Sequence, residues 1–543
     1  MKVTTTETGG VITYNSADWR AGLAPQGLFQ ASAFLKHAGV NGFSSISKID
    51  PFIKYGVLSP GIAPSANATN SGSLLATIVA LEMTDNSTSL AVDSGGRIQR
   101  ITSSALTPVI STDSPFPRTI AFTAGSTYVG QDGILYRHNS GGTTSADSKV
   151  SFFYSAYNSN NWDVGAYVNL GTFDDDFMSS VPANPLDITT GDGDDVTQRA
   201  KPHPMEIGAD GILYIGSGRF LHAYDGNTGS NGTFFSKVLT LPQGTEIISM
   251  KKYQDILLIA TNYYSSGNTT GTGEALLYNW NYLDLDITSV TPLEDFYVST
   301  IFLWQGSPCV ITSGTVERNG KFKIKIISGN QVTKLADFDG VMPVDNGTVV
   351  LGDMFYMNCG GKILSCGDKY MSGNDYFMNN VAILSANGIS GVLAWNALRD
   401  CFMGSSSGGT PCFNNIGNGL DGGSCSTPFY YPEIPFGKIA KIKAVQVEFY
   451  TEVAQAGANG NLTFAIGVDN YTGLYTIFTN LSSVSLPLRK RYTRTATANT
   501  LINASFASGT CFNLIFNWGQ STSGTSPTIS SVAIEYDLLE IKN

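Results

Sequence analysis

His203-Pro-Met-Glu-Ile-Gly-Ala-Asp-Gly-Ile-Leu-Tyr-Ile-Gly-Ser-Gly-Arg-Phe-Leu-His-Ala-Tyr-Asp-Gly226 is the stretch on which the reading of this chain turns. Asp210-Gly211 suits a tight turn, because Gly tolerates positive φ and Asp can hydrogen-bond its own backbone. Ile212 to Ile215 is a short apolar, partly β-branched run, the mark of a buried strand. Gly216-Ser217-Gly218 interrupts it, Phe220 to Tyr224 resumes it, and Asp225-Gly226 turns again. Two short strands between glycine turns form a hairpin that cannot cover both of its faces alone. It needs similar neighbours.

The unit recurs. Gln131-Asp-Gly-Ile-Leu-Tyr-Arg-His138 shares Asp-Gly-Ile-Leu-Tyr with it, and Asp93-Ser-Gly-Gly-Arg-Ile-Gln-Arg-Ile101 is a looser copy. Lys252 to Ala260 keeps the strand without the glycine. Asn346-Gly347 precedes Thr348 to Tyr356, and Asn387-Gly388-Ile389 precedes Val392 to Trp395. The spacing is irregular, where blade repeats run about 40–50 residues. A degenerate all-β propeller of about seven blades, with insertions in its loops, accounts for the pattern. A large sandwich or barrel built of ordinary hairpins is the alternative.

The composition fits strands and turns. Of 543 residues only 14% are charged, 42% are hydrophobic and 59 are glycine. Average soluble domains carry about 25% charged residues. The formal charge of −11 argues against a phosphate-binding surface, since non-specific nucleic-acid affinity comes largely from Lys and Arg. The first residues, Met-Lys-Val-Thr-Thr-Thr-Glu-Thr-Gly-Gly, lack the apolar stretch of a signal peptide, so synthesis in the cytoplasm without export is expected. Leu74 to Leu81, the most apolar run, is too short to span a bilayer, and no membrane insertion is expected.

Three regions are expected. Residues 1–65 do not look like a blade. Asn41 to Pro64 is rich in proline, which biases it to extended structure, and Phe43, Ile49, Phe52, Val57 and Leu58 are too apolar for a solvated linker. This reads as an extended arm lying along the propeller or along a neighbouring subunit, and those five residues are its candidate subunit interface. Residues 66–427 hold the propeller, with the Gly/Ser/Asn-rich stretch Gly404 to Ser426 as a loop that closes it. From 428 to 543 the texture changes. Val445, Val447 and Phe449 alternate with Gln446, Glu448 and Tyr450, and further strands follow at short spacing, as in a jelly-roll-like β-sandwich.

Three pieces resemble tailed-bacteriophage virion proteins with propeller-like domains. They are the stretch His203 to Gly218, the segments Ile49-Asp50-Pro51 and Gly56-Val57-Leu58-Ser59-Pro60-Gly61, and the ending Ser530-Ser-Val-Ala-Ile-Glu-Tyr-Asp-Leu-Leu539. The resemblance implies a structural protein of a phage tail, tail tip or appendage. Its partners would be copies of itself, other virion proteins and a host-surface glycan or protein, and its place the virion. It carries no site residues across, because the matching positions determine the fold.

No catalytic signature appears: there is no Gly-x-Ser-x-Gly elbow, phosphate loop or His-Glu-x-x-His. Seven cysteines without Cys-x-x-Cys spacing and four scattered histidines do not form a zinc pattern. Asp187 to Asp195 has a calcium-loop composition but lacks the bidentate Glu, so it reads as a solvated acidic loop. No catalytic residue, metal site or cofactor is therefore expected, and the chain reads as a non-enzyme. The aromatic-rich segment with Tyr157, Trp162 and Tyr167 is the candidate for glycan or partner contact, since rings offer apolar faces to saccharides. A receptor-binding lectin and a carbohydrate-cleaving propeller are the alternative functions. Convergent carboxylates would mark the enzyme.

Overall fold

A computed structural model describes most of residues 204–367 and, beyond that span, the strands named below with a few flanking residues. Every regular element among the described residues is a strand. Residues 66–361 and 384–413 form one compact unit, and residues 1–65, 362–383 and 414–543 form another.

The first unit is organised by a propeller. Seven antiparallel sheets follow one another along the described chain, and their first strands are Ile78–Met83, Pro117–Ala124, Met205–Ile207, Thr245–Tyr253, Tyr297–Trp304, Thr348–Leu351 and Leu393–Asn396. Each first strand lies against the next, and the seventh lies against the first, so they close a ring of seven blades. Blades 1, 3, 4 and 5 are four-stranded meanders in chain order, and blade 6 begins with the pair Thr348–Leu351 and Met354–Cys359. Blade 2 is five-stranded, because Asn161–Trp162 and Val168–Phe173 both pair with Val150–Asn158. Blade 7 takes three strands from residues 393–415, and its fourth is Pro64–Ala66, which lies beside Pro411–Asn415. A strand from before blade 1 thus completes the last blade, which protects the sheet edge where the ring begins and ends.

Local chemistry explains the blades. In blade 3 the Asp210-Gly211 turn forms as its residues suggest: Gly211 has φ of 81°, the Asp210 Oδ1 accepts the Ile212 N–H at 3.0 Å, and Gly208 N–H donates to Ile212 O at 2.9 Å. Gly208 is needed for space, since a Cβ there would come within 2.6 Å of both Asp210 Oδ1 and the Tyr214 ring. Leu213–Ser217 then pairs with Phe220–Asp225. Lys252 to Ala260 reads from sequence as one strand; the chain instead turns within it, folding back between Thr245–Tyr253 and Ile256–Tyr264. Gln254 takes φ of 52° at that turn, where a glycine would have announced it. Apolar seams fill the gaps between blades. Leu221, Leu239 and Leu241 of the blade 3 region pack with Ile247, Met250, Leu257 and Ile259 of blade 4, and the other face of blade 4 packs against blade 5 through Leu258, Ala260, Leu277, Val298 and Val310.

The second unit is organised by a β-sandwich. One sheet runs Lys2–Thr5, Gly9–Tyr14, Thr528–Glu540, Lys438–Tyr450, Ser508–Gly509; the other runs Ser45–Ser47, Gly423–Ser426, Phe512–Trp518, Leu462–Val468, Leu474–Phe478. Ile442, Val445, Val447, Val532, Ile534 and Tyr536 face Phe464, Ile466, Leu514, Phe516 and Trp518 in one buried cluster. A register shift between Ile442 and Ala444 lets Ile442 and Val445 both turn inward, three positions apart.

The N-terminal residues correct the expected domain plan. Lys2–Thr5, Gly9–Tyr14 and Ser45–Ser47 are sandwich strands, and Phe43, Ile49 and Leu58 are 0% exposed within the sandwich core. Leu58 N–H donates to Ile529 O at 2.7 Å, and Ile529 N–H returns to Leu58 O at 3.0 Å. These residues are apolar because the chain's own core consumes them, and so they offer no side chain to a neighbouring subunit. Phe52 and Val57 lie outside the described residues. The expected closing loop from 404 to 426 also holds strands: Pro411–Asn415 belongs to blade 7 and Gly423–Ser426 to the sandwich, ahead of the expected boundary at 428.

Candidate functional site

The innermost strands of blades 3, 4, 5 and 6 border a cavity of about 250 Å³, lined among others by Glu206, Lys251, Thr300 and Asp345. The space shared by four successive innermost strands is the interior of the ring, so the cavity belongs to the propeller channel. Apolar side chains supply much of the remaining wall, including Met205, Met250, Phe302 and Val350.

Two irregularities position the polar groups. The register between the first and second strands slips between Ile247 and Ser249 in blade 4 and between Val298 and Thr300 in blade 5. Blade 1 slips in the same way between Ile78 and Ala80. A bulge re-aims the residues beside it. Buried Ser249 donates its hydroxyl to Asp345 Oδ1 at 2.6 Å, and buried Thr300 donates to the same oxygen at 3.3 Å. Ser249 Oγ in turn accepts the Ile301 N–H at 3.1 Å. Asp345 precedes the first strand of blade 6, so one carboxylate oxygen gathers blades 4, 5 and 6.

On the other side of the cavity Glu206 of blade 3 accepts the Lys252 N–H at 3.0 Å, and the Lys251 ammonium lies 3.3 Å from its carboxylate. Burial is the largest influence on Asp345 and raises it; Glu206 raises it further, while Ser249, Lys251 and Thr300 lower it. The balance pushes the Asp345 carboxyl up to about 6. Burial, not a neighbouring charge, dominates.

The same blades are tied by other polar bonds. Asn262 Oδ1 accepts Val298 N–H at 2.9 Å between blades 4 and 5. Trp304 Nε1 donates to Asp353 O at 2.9 Å between blades 5 and 6, and Asn358 Nδ2 donates to Val392 O at 2.9 Å between blades 6 and 7. Asp295, just before the first strand of blade 5, lies 2.7 Å from both Lys323 and Lys325 and accepts the Thr312 hydroxyl at 2.6 Å. Buried Lys325 also donates to Leu293 O.

The residues singled out from sequence fall elsewhere. In blade 2, Tyr157 and Trp162 are register partners of the hairpin at the outer edge of the sheet. Tyr167 lies outside the described residues, as do Asp187 to Asp195. The described cysteines, Cys309, Cys359, Cys366, Cys425 and Cys511, are buried and form no disulfide. Among the described residues no group of three or more His, Cys, Asp or Glu side chains could hold a metal ion, and no helix is long and apolar enough to cross a membrane. The Asp345 cluster was missed. Its signal is the placing of Ser249 and Thr300 within otherwise apolar runs, Ile247-Ile248-Ser249-Met250 and Thr300-Ile301-Phe302-Leu303, at the same point of two successive blades.

No known protein family and no curated protein matches this sequence. Solved propellers resemble the structure. The Dos1 propeller aligns with a TM-score of 0.41 at 12% identity, over 75% of this chain and 94% of that one. The WD40 β-propeller domain of Doa1 gives 0.39 at 10% identity, over 65% and 96%. The Pan2 WD40 domain of Neurospora crassa gives 0.40 at 7% identity, over 62% and 88%. The chain is a β-propeller joined to a β-sandwich, on the evidence of its own ring of seven sheets and the core between its two further sheets.

Proposed function

We propose that the chain is a structural subunit of a tailed-bacteriophage particle, placed in the tail, its tip or an appendage, where it works with copies of itself and other virion proteins. The observation that carries this reading is the state of the channel. Glu206, Lys251 and Asp345, the ionisable groups of the cavity, are engaged across blades through Lys252 N–H, the Glu206–Lys251 pair, Ser249 and Thr300. An arrangement that spends its charges on holding blades together suits a rigid scaffold. The resemblance of residues 203–218, 49–61 and 530–539 to virion proteins supplies the setting. Subunit contacts are made by surfaces other than Phe43, Ile49 and Leu58, which the sandwich core consumes.

The experiment is sedimentation of phage lysate through a density gradient, with the protein followed by antibody and by mass spectrometry. Co-migration with intact particles at a fixed copy number supports the assignment. Recovery wholly in the soluble fraction, with particles lacking the chain, overturns it.

A second reading is a receptor-binding lectin of the virion, favoured by the register that sets Tyr157 opposite Trp162 at the outer edge of blade 2. Aromatic residue types at opposed register positions are the kind that can stack on sugars. Trp162→Ala would then abolish glycan-array binding while leaving gradient co-migration intact.

A further inference from the structure

The Asp345 cluster brings together a carboxylate, two hydroxyls and an oppositely charged pair from four successive blades, beside a cavity of about 250 Å³. Blade 3 presents Glu206 and blade 4 presents Ser249 and Lys251. Blade 5 presents Thr300 with the uncharged Ile301, Phe302 and Leu303, and blade 6 presents Thr348 and Val350. The charged groups that line the cavity with Asp345 are Glu206 and Lys251, and both act on it.

Every link in the cluster crosses a blade boundary. Ser249 joins blade 4 to Asp345 and, through Ile301 N–H, to blade 5; Thr300 joins blade 5 to Asp345. We propose that Asp345 is a pH-sensitive staple of the propeller, which fastens the seam of blades 4, 5 and 6 more firmly as the surroundings become mildly acidic and loosens it as they become neutral. The carboxyl stays hydrogen-bonded to Ser249 and Thr300 in either state. When ionised it is a charge partly withdrawn from water and near the Glu206 carboxylate. When protonated it loses that cost and gains an O–H donor beside the cavity.

The direction follows from linkage. The Asp345 pKa is raised on folding, so the fold favours the neutral form. This contribution is complete below the ordinary carboxylate pKa of about 3.9 and is lost as the pH rises through about 6. A rise of about two units corresponds to roughly a 100-fold stronger hold on the proton in the folded state.

Hydrogen exchange of the full chain, followed by mass spectrometry and corrected for the intrinsic dependence of exchange on pH, tests this at peptides covering residues 297–304 and 342–351. Protection is expected to fall by up to about 100-fold between about pH 3.5 and about pH 7, with a midpoint near about 5, while peptides from the sandwich change little. Asp345→Asn keeps the shape and both hydroxyl partners but cannot ionise, so its protection should stay at the acid level throughout. Ser249→Ala removes a bond that lowers the Asp345 pKa, and the midpoint should move upward. If the wild-type protein shows no difference between the two conditions, or Asp345→Asn keeps the wild-type dependence, the proposal is overturned. Should Asp345→Asn fail to fold, the direction of the Ser249→Ala midpoint decides: an unmoved or lowered midpoint overturns it.

Discussion

Asp295 and Asp345 occupy corresponding places in neighbouring blades, each a few residues ahead of the innermost strand, Tyr297–Trp304 in one case and Thr348–Leu351 in the other. Asp295 ties the entrance of blade 5 to that blade's own second and third strands, Asp345 ties the entrance of blade 6 to blades 4 and 5, and their surroundings drive them in opposite directions. Burial would raise the Asp295 carboxyl, but Lys323, Lys325 and Thr312 outweigh it and hold the group below the usual carboxylate range. Asp345 has two hydroxyls instead of two ammonium groups at bonding distance, with Lys251 and Glu206 opposing one another nearby, and there burial wins. An acid at the entrance of a propeller blade is therefore a firm clamp or a titratable staple according to whether cations or hydroxyls face it. The two have opposite pH signatures. Asp295 stabilises above the ordinary carboxylate pKa, and its contribution is lost as the pH falls through its depressed folded value; Asp345 contributes in acid and loses that contribution as the pH rises through about 6.

The sharpest way to break the comparison is to take a cation from Asp295. Lys325→Met leaves a buried carboxylate facing only half-exposed Lys323, and removing one partner of a buried pair costs about 3–5 kcal/mol. The loss should appear as a lowered denaturant midpoint for the propeller. Asp295→Asn together with Lys325→Met should recover much of it, because the charge then left without Asp295, on Lys323, is half-exposed and not buried. If Lys325→Met alone costs nothing, Asp295 is not held by its lysines.

A reference free of titrating groups comes from the sandwich. Its core contains Leu58 among Ile442, Phe516 and Ile529, and among the described residues it buries no acidic or basic side chain. Leu58→Ala should cost about 2–5 kcal/mol, the range for truncating a buried leucine. That cost should be the same near pH 5 and near pH 8, measured by chemical denaturation at each. A cost that varies with pH would mean that titration in the protein is not confined to its polar seams.

Asp345→Asn should act with the opposite sign to both. At neutral pH the ionised carboxyl lowers stability by at most about 3 kcal/mol, two pKa units at 1.36 kcal/mol each, so the amide should stabilise by up to that amount. Below about pH 4, where the carboxyl is neutral in the folded and the unfolded chain alike, it should do almost nothing. Thermal melts of the two proteins across this range should therefore converge as the pH falls.

Much of the architecture was legible because hairpins announce themselves locally. Asp210-Gly211 and the apolar runs around it are enough to place a turn and two strands, and copies of that unit imply a ring. Where the turn lacked a glycine, as at Gln254, the hairpin was invisible, since positive φ at a glutamine is permitted by context and not proposed by the residue. The N-terminal region shows a different limit. Phe43, Ile49 and Leu58 declare that they must be buried, but apolar character does not say against what, and their partners Phe516 and Ile529 lie at the far end of the sequence. The Asp345 site was hidden for the same reason. Asp345-Asn346-Gly347 reads as a turn, and only the closed ring brings Ser249 and Thr300 to its carboxylate.

The smallest expected effect separates the two sources of the Asp345 shift. Glu206 is a like charge acting on it, and Glu206→Gln removes that charge while keeping an oxygen able to accept the Lys252 N–H. It also releases Lys251 from its carboxylate partner, so a cation already acting on Asp345 acts with less opposition. Both changes lower the Asp345 pKa, and the midpoint of the pH-dependent exchange should move down by less than about one unit, a change below about 1.4 kcal/mol. A larger drop would mean that Glu206, not burial, is what raises Asp345. The staple would then be a pair of coupled carboxylates, whose titration belongs to both.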